Sequence, residues 1–258
     1  MILIDAHVSV STVRHRADAV LKALKRFDTD SAIIFADSQS PDLAAENRYV
    51  LRSAQEFDCF PLYYLGGNPY TDTRMDLELP DSLEEYAGIR WHRWFGESRD
   101  LTGRVDRHEL EFAVVQMETT EFESLMSALH YYDLPILLEE DFAVTLEFVE
   151  RYGEMVKVII PHMGMFSGGV DLVVGRLYRN PNIYFTTSYA PLDPVLVSRI
   201  GAERLLYASD YPYGDPAQNI EKIKHLDLSD EDEALIFGEN VERLLHRDVE
   251  DLDPYAAG

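Results

Sequence analysis

Imidazole and carboxylate groups follow several short apolar segments of this chain, each at the point where the segment ends. Two histidines, one glutamate and one aspartate stand at such positions: His7, Glu139, His162 and Asp210. These side chains bind zinc and related divalent ions and transfer protons in catalysis. The chemistry they predict is the activation of water or of a carbonyl group, on condition that the fold brings them together.

Other polar residues at the ends of the same segments are candidates for substrate binding. Arg90 could hold a substrate carboxylate through two parallel hydrogen bonds, with His92 beside it. The competing interpretation is that Arg90 pairs with one of the surplus acidic groups. Ser9 would share a strand face with His7 and Asp5. It lacks the Gly-x-Ser-x-Gly surroundings of a nucleophile, so we expect it to line the site rather than to attack the substrate.

The apolar segments alternate with amphipathic ones along the chain. Eight are predicted to be strands: Ile2–Val8, Ala32–Ala36, Phe60–Leu65, Ala87–Trp91, Pro135–Leu138, Val156–Ile160, Ile183–Thr187 and Arg204–Ala208. Helices are predicted between them, over Arg14–Phe27, Pro41–Phe57, Glu121–Tyr132, Phe142–Tyr152, Val170–Leu177, Asp193–Ile200 and Asp215–His225. A last helix is predicted after Ser229, whose hydroxyl can cap it. Residues Phe95–Glu111 are predicted to form a polar loop.

This alternation predicts one (β/α)8 TIM barrel over residues 1–258, closed by a C-terminal helix. Several strands are almost continuously apolar, as is typical of parallel strands that helices cover. The carboxyl ends of all strands in a barrel meet at one rim, so the four candidate residues would converge there. A doubly wound open sheet is the alternative fold, and it is disfavoured because no Gly-x-Gly-x-x-Gly turn follows the first strand.

Composition and charge bear on the class of partner. The chain has 258 residues, with 47 acidic residues against 23 basic ones and a formal net charge of −24. This charge argues against nucleic acid or an anionic membrane as a partner. The single cysteine cannot form an internal disulfide, and the first ten residues do not resemble a signal peptide. We expect a cytoplasmic protein with a small-molecule substrate; monomer and homodimer are both open.

The basic residues are mostly arginines, with only five lysines. An acidic surface poor in lysine is what we expect of a protein kept in solution at high salt concentration. The alternative is an ordinary acidic cytosolic protein.

Six blocks of sequence stand in a particular order along the chain: MILIDAHVS, GIRWH, LPILLE, VIIPHMG, GAERLLYASDYPYG and IFGENVERLL. In this order they resemble the amidohydrolase-related family, in the branch that includes aminocarboxymuconate-semialdehyde decarboxylase. The resemblance implies a TIM barrel, a divalent metal and a hydrolase or decarboxylase activity. It also implies that His7 and Asp210 bind the metal and that His162 is the general acid/base, with Asp210 as a further proton acceptor.

Two positions depart from the pattern of that family. Ser9 stands where the second histidine of the first strand is expected, and Glu139 stands where the fifth strand ends in a histidine. The resemblance then leaves His7, Glu139 and Asp210 as ligands, a set that suits zinc or manganese. The alternative is that these two changes have removed the metal.

Three functions are therefore open. The first is hydrolysis at a carbonyl centre by metal-activated water, with His162 as the acid/base. The second is a metal-independent lactonase or a decarboxylase on the same fold. The third is a barrel without catalysis that serves in binding.

Overall fold

The structure is a computed structural model that describes residues 1–38, 42–65, 80, 82–92 and 107–245, the last range with backbone alone at 107–109. Eight parallel strands pair in chain order. They are β1 (Ile4–Val10), β2 (Ser31–Ala36), β3 (Phe60–Leu65), β4 (Gly88–His92), β5 (Ile136–Glu139), β6 (Val158–Ile160), β7 (Ile183–Thr186) and β8 (Leu205–Leu206). With helices between them, these strands form the (β/α)8 barrel predicted from the sequence, which confirms the fold class.

The helices begin at capping residues in several cases, among them Asp42, Asp193, Asp215 and Ser229. They are α1 (Ala17–Leu24), α2 (Leu43–Phe57), α3 (Arg107–Met117), α4 (Thr120–Tyr131), α5 (Phe142–Tyr152), α6 (Val170–Leu177), α7 (Pro194–Ile200), α8 (Pro216–Lys224), α9 (Asp230–Ala234) and α10 (Asn240–Leu245). A π-helical turn connects α9 to α10. Within the described ranges, no helix has the length and apolar character needed to cross a bilayer.

Two expectations about helices are corrected. Helix α3 begins at Arg107, inside the segment Phe95–Glu111 that was predicted to form a polar loop; residues 95–106 of that segment lie outside the described residues. Leu110, Ala113, Val114 and Met117 stand at helical intervals, but the apolar Phe112 and the exposed Val115 lie among them and blur the contrast between the two faces of the helix. Helix α2 begins at Leu43, where the Asp42 carboxylate accepts a hydrogen bond from the Ala45 N–H; the predicted start, Ser40-Pro41, lies outside the described residues.

The barrel closes between its last and first strands through the segment that follows β8. The Ala6 N–H donates to the Tyr207 carbonyl at 2.9 Å, and the Ser9 N–H donates to the Tyr211 carbonyl at 3.0 Å. Val8 and Tyr211 form a parallel bridge. The end of β1 is therefore held against the chain that carries Asp210.

The register between β1 and β2 shifts by one residue. Asp5 pairs with Ala32, but Val8 pairs with Ile34, so three steps along β1 match two steps along β2. Such a bulge places an extra residue in one strand and reverses the facing of the residues after it.

The bulge corrects the facing expected for the first strand. Ala6 packs with the inner residues of the barrel, whereas Val8 packs outward against α1 and α2. His7 and Ser9 therefore face the barrel axis, and Asp5 faces away from it. The prediction that simple alternation places Asp5 on the same face as His7 is wrong.

Alternate residues of the other strands fill the barrel interior. One buried apolar cluster contains Phe35, Leu62, Leu137, Ile159 and Leu206, each from a different strand. Ile89 and Trp91 of β4 pack instead in the layer between the barrel and its helices. The alternation in β4 and β5 thus directs Arg90, His92 and Glu139 toward the axis.

Candidate active site

Three of the four candidate residues meet at the carboxyl ends of the strands. The Nε2 atom of His7 lies 3.1 Å from Oδ1 of Asp210. The His7 and His162 rings have centroids 4.9 Å apart. His7, His162 and Asp210 each offer one ligand atom, and these atoms all lie within 4.8 Å of one another. Residues separated by up to about two hundred positions in the chain are thus neighbours at one rim.

A left-handed turn after β6 places His162. His162, Met163 and Gly164 have φ angles of 54°, 52° and 75°. The His162 N–H donates to Oγ1 of Thr186 at 2.9 Å, and Nδ1 shares a 2.8 Å hydrogen bond with Oγ of Ser188. One ring nitrogen is therefore engaged by β7 and the residues after it, and Nε2 is left for chemistry.

The His162 side chain is buried beneath the residues that surround it at the rim. Only 4% of the residue is accessible. The Phe166 and Tyr189 rings pack against it, with centroids 5.1 and 5.4 Å away. Burial, followed by the charge of His7, lowers the pKa of His162 to about 4. The imidazole is therefore neutral at neutral pH.

Asp210 is the ionised partner in this group. It follows β8 with a φ of 59°. Burial alone would raise its pKa, but the hydrogen bond from His7 and the charges of His7, His162 and Arg90 lower it below its ordinary value. A neutral imidazole and an ionised carboxylate thus lie side by side.

Asp5 supports the site from the outer side of the barrel. Its carboxyl group accepts hydrogen bonds from the N–H and Oγ–H of Ser209 and from the His7 N–H. Complete burial raises the pKa of Asp5 to about 7. The carboxyl group ties the backbone of His7 to the residue that precedes Asp210.

Arg90 lies between two of the predicted metal ligands. Its Nη1 is 3.3 Å from Nε2 of His7, and its Nη2 is 3.6 Å from Oε2 of Glu139. The guanidinium carbon also lies 4.0 Å from the centroid of the Phe35 ring. Among the described residues, Arg90 is the one lysine or arginine that is buried. The contact with Glu139 agrees with the interpretation that Arg90 pairs with an acidic group. Binding of a substrate carboxylate by Arg90 stays a prediction.

Glu139 and His92 form the opposite side of the site. They are register partners in β5 and β4, and His92 Nε2 lies 3.6 Å from Oε2 of Glu139. The Tyr64 hydroxyl shares a 3.2 Å hydrogen bond with Nδ1 of His92. Ser9 is buried, with 6% of its surface accessible. Substrate binding by His92 and Ser9 stays a prediction.

The Arg90 guanidinium contacts both His7 and Glu139, two of the three predicted metal ligands, and the ligand set of His7, Glu139 and Asp210 stays a prediction. The cluster of possible metal ligands that the structure brings together consists of His7, His162 and Asp210, with His162 in place of Glu139. A divalent ion fits that group only by binding Nε2 of His162, since Nδ1 is bonded to Ser188. It would also lie beside a permanent positive charge. The residues present thus fit a metal less well than the sequence suggests.

Ser188 and Tyr189 are two residues of the site that the sequence pattern did not predict. Both follow β7, so the signal used for the other strands, a polar residue just after a strand, was available here too. Tyr189 has a φ of 55°, and its hydroxyl donates a hydrogen bond to Asp210. In the described chain, the residues other than glycine and aspartate with positive φ are His162, Met163 and Tyr189, all at this site.

Solved structures share this fold at low sequence identity. One is 5-carboxyvanillate decarboxylase LigW from Sphingomonas paucimobilis, with a TM-score of 0.61, 13% identity and coverage of 95% of this chain and 98% of that one. Another is an amidohydrolase from Burkholderia multivorans with bound zinc, with a TM-score of 0.64, 14% identity and coverage of 95% and 99%.

A third is described as a probable 2-pyrone-4,6-dicarboxylic acid hydrolase from Acinetobacter baumannii with citric acid bound, with a TM-score of 0.62, 14% identity and coverage of 95% and 99%. These neighbours are decarboxylases and hydrolases, and they show the fold alone.

No curated protein sequence matches this chain. A family model with the description amidohydrolase does match it, over residues 83–247, which is more than half of its 258 residues. The matched region carries Arg90, Glu139, His162 and Asp210. With this match, and with the barrel and rim geometry above, the chain belongs to the amidohydrolase family.

Proposed function

We propose that this chain is a hydrolase that acts on a small carbonyl compound such as an ester or a lactone. The observation that carries the proposal is the meeting of His7, His162 and Asp210 at the rim of the barrel. A buried neutral imidazole beside an ionised carboxylate is an arrangement that can take a proton from water.

The proton acceptor in this proposal is Nε2 of His162. When Nδ1 carries the ring proton and donates it to Oγ of Ser188, Nε2 holds a lone pair. A water molecule that loses its proton to Nε2 becomes the nucleophile that attacks the substrate carbonyl. The acyl C–O bond of the ester or lactone then breaks, and the imidazolium gives the proton to the leaving alkoxide oxygen. The charge of Asp210 stabilises the imidazolium that forms.

The protonation state of His162 favours hydrolysis over decarboxylation. A decarboxylase has to deliver a proton to the carbon that loses carbon dioxide, so it needs an acid that is protonated before the reaction. His162, with its pKa lowered to about 4, carries no such proton at neutral pH. A decarboxylase on the same fold is the alternative activity, and some structural neighbours are decarboxylases.

Metal-dependent hydrolysis is the second candidate. It is supported by the ligand atoms of His7, His162 and Asp210, which all lie within 4.8 Å of one another. His7, His162 and Asp210 would hold one divalent ion, with zinc or manganese as the expected metals. Such an ion supplies Lewis-acid activation of a carbonyl oxygen and of water. In that case Nε2 of His162 serves as a ligand and not as the base, so the two candidates differ in their response to chelators.

Hydrolysis of dihydrocoumarin, an aromatic lactone, and of p-nitrophenyl acetate tests the proposal by absorbance. We expect His162→Ala to lower kcat/KM by a factor of about 100 or more, the usual contribution of a general base. His225→Ala is the matched control, because this histidine lies on the surface with 76% of its side chain accessible. Wild-type rates in His162→Ala would refute the role of His162.

Chelation separates the two candidates. Activity that is unchanged after treatment with EDTA supports the base mechanism. Activity that disappears and returns with zinc or manganese supports the metal. A protein that hydrolyses neither probe, with or without these ions, contradicts the proposal and favours a binding role for the barrel.

A further inference from the structure

Arg90 and Glu139 are a buried cation and a buried acid that face each other inside the barrel mouth. Arg90 is the one buried lysine or arginine in the described chain. A buried carboxylate needs a cation or several hydrogen-bond donors.

The guanidinium of Arg90 lies between two residues that the sequence nominated as metal ligands. It is 3.3 Å from Nε2 of His7 and 3.6 Å from Oε2 of Glu139. Its charge also acts on Asp210, whose pKa it helps to lower. A guanidinium stays charged at all accessible pH values, so it is a permanent cation in this place.

We propose that Arg90 is a built-in cation that takes the place of a divalent ion between His7 and Glu139. By holding Glu139, it keeps this carboxylate out of any metal site and leaves the imidazoles and Asp210 facing each other. The inference concerns the site of the proposed function, but it does not depend on that activity.

The physical consequence is a prediction about metal affinity. Removal of the guanidinium leaves His7, Glu139 and Asp210 without the cation that separates them. One imidazole and two carboxylates offer three ligand atoms to a divalent ion and leave a position free. The same step removes a positive charge that repels the incoming ion. Divalent metal should therefore bind more tightly to a variant without Arg90.

Binding of Co²⁺ to the purified full-length chain tests this inference, measured by calorimetry and by the visible absorption of the bound ion. We expect Arg90→Met to bind Co²⁺ more tightly than wild type by a factor of about ten or more. Arg90→Lys keeps the charge and should stay close to wild type. The double variant with Arg90→Met and Glu139→Gln should lose the gain, because the added ligand is gone.

Thermal unfolding of each variant comes first, since Arg90 stacks on Phe35. Methionine preserves much of this packing; if Arg90→Met does not fold, Arg90→Gln replaces it as the neutral variant. Equal or weaker Co²⁺ binding in the neutral variant overturns the inference. A gain that persists in the double variant also overturns it.

The result of the Co²⁺ binding experiment does not depend on whether the proposed hydrolase activity is found. A wild-type protein that already binds Co²⁺ at His7, His162 and Asp210 would still bind more tightly without Arg90. Loss of lactone hydrolysis in Arg90→Met would leave the comparison of affinities unchanged, because binding is measured without a substrate.

Discussion

His162 and Asp210 lie side by side with pKa values that are both lowered. The causes differ: burial dominates for His162, whereas for Asp210 hydrogen bonding and nearby positive charge outweigh burial. At neutral pH this combination gives a neutral base beside an anion. The pKa of Asp5, whose side chain faces away from the barrel axis, is raised by burial.

The acid limb of the pH–rate profile should report His162. Protonation of Nε2 abolishes its role as base, so kcat/KM should fall only as the pH drops through about 4, the pKa of His162. An unperturbed histidine, with a pKa of 6.5, would already lose activity near pH 6. The measurement is kcat/KM for dihydrocoumarin between about pH 3 and pH 8. An acid limb near 6.5 would contradict the assignment.

Asp5 should make part of the folding stability dependent on pH. Its pKa rises from 3.8 in the unfolded chain to about 7 in the folded protein, so the folded state binds the proton more tightly. The resulting stabilisation is complete below pH 3.8 and is lost as the pH rises through about 7, with a slope of at most about 1.4 kcal/mol per pH unit.

Asn at position 5 has no such proton, so we expect Asp5→Asn to be less destabilising at pH 8 than at pH 5. Urea unfolding at both pH values measures the difference. Asp230→Asn, at an exposed position of α9, is the control for a surface substitution, and its effect should vary much less with pH. A constant cost for Asp5→Asn would show that Asp5 is ionised in both states.

At the scale of elements, the turn between β6 and α6 decides where His162 lies. Gly164 ends this turn with a φ of 75°, and a Cβ atom there would lie 2.5 Å from the side chain of Val173 in α6. Only glycine allows both the left-handed backbone and the close approach of the helix. The turn and α6 therefore hold each other in place.

We expect Gly164→Ala to lower the free energy of unfolding by about 2–4 kcal/mol, because strain and overlap add. It should also lower the lactonase rate by displacing His162. Gly175→Ala is the matched control: this glycine lies in α6 with no atom within 4 Å of its Cβ position, and alanine there should stabilise the helix by roughly 0.5–1 kcal/mol. Urea unfolding measures both. Equal stability of Gly164→Ala and wild type would contradict the argument.

At the scale of the whole molecule, the net charge of −24 is the dominant property. Carboxylates at this density repel one another in the folded state, and salt weakens the repulsion. We propose that the chain is adapted to high salt, and we expect its Tm to rise by several degrees between about 0.1 M and 2 M potassium chloride. An uncharged osmolyte at equal osmolality is the control for volume exclusion. A Tm that does not change with salt would remove the proposal.

The amino-acid sequence alone determined the fold class and the approximate place of every strand, because apolar runs and their turn signals are local patterns. The Phe60–Leu65 strand and the Phe142–Tyr152 helix have the predicted bounds. The rule that polar residues after parallel strands meet at one rim also selected His7, His162 and Asp210, which the structure brings together.

Only the tertiary structure decided which groups face each other. The bulge in β1 turned Asp5 away from His7, and no local pattern reveals where a strand pairing slips by one residue. The contact of Arg90 with His7 joins residues 83 positions apart. Such contacts depend on side-chain positions in space, and the order of residues along a chain does not specify them without the fold.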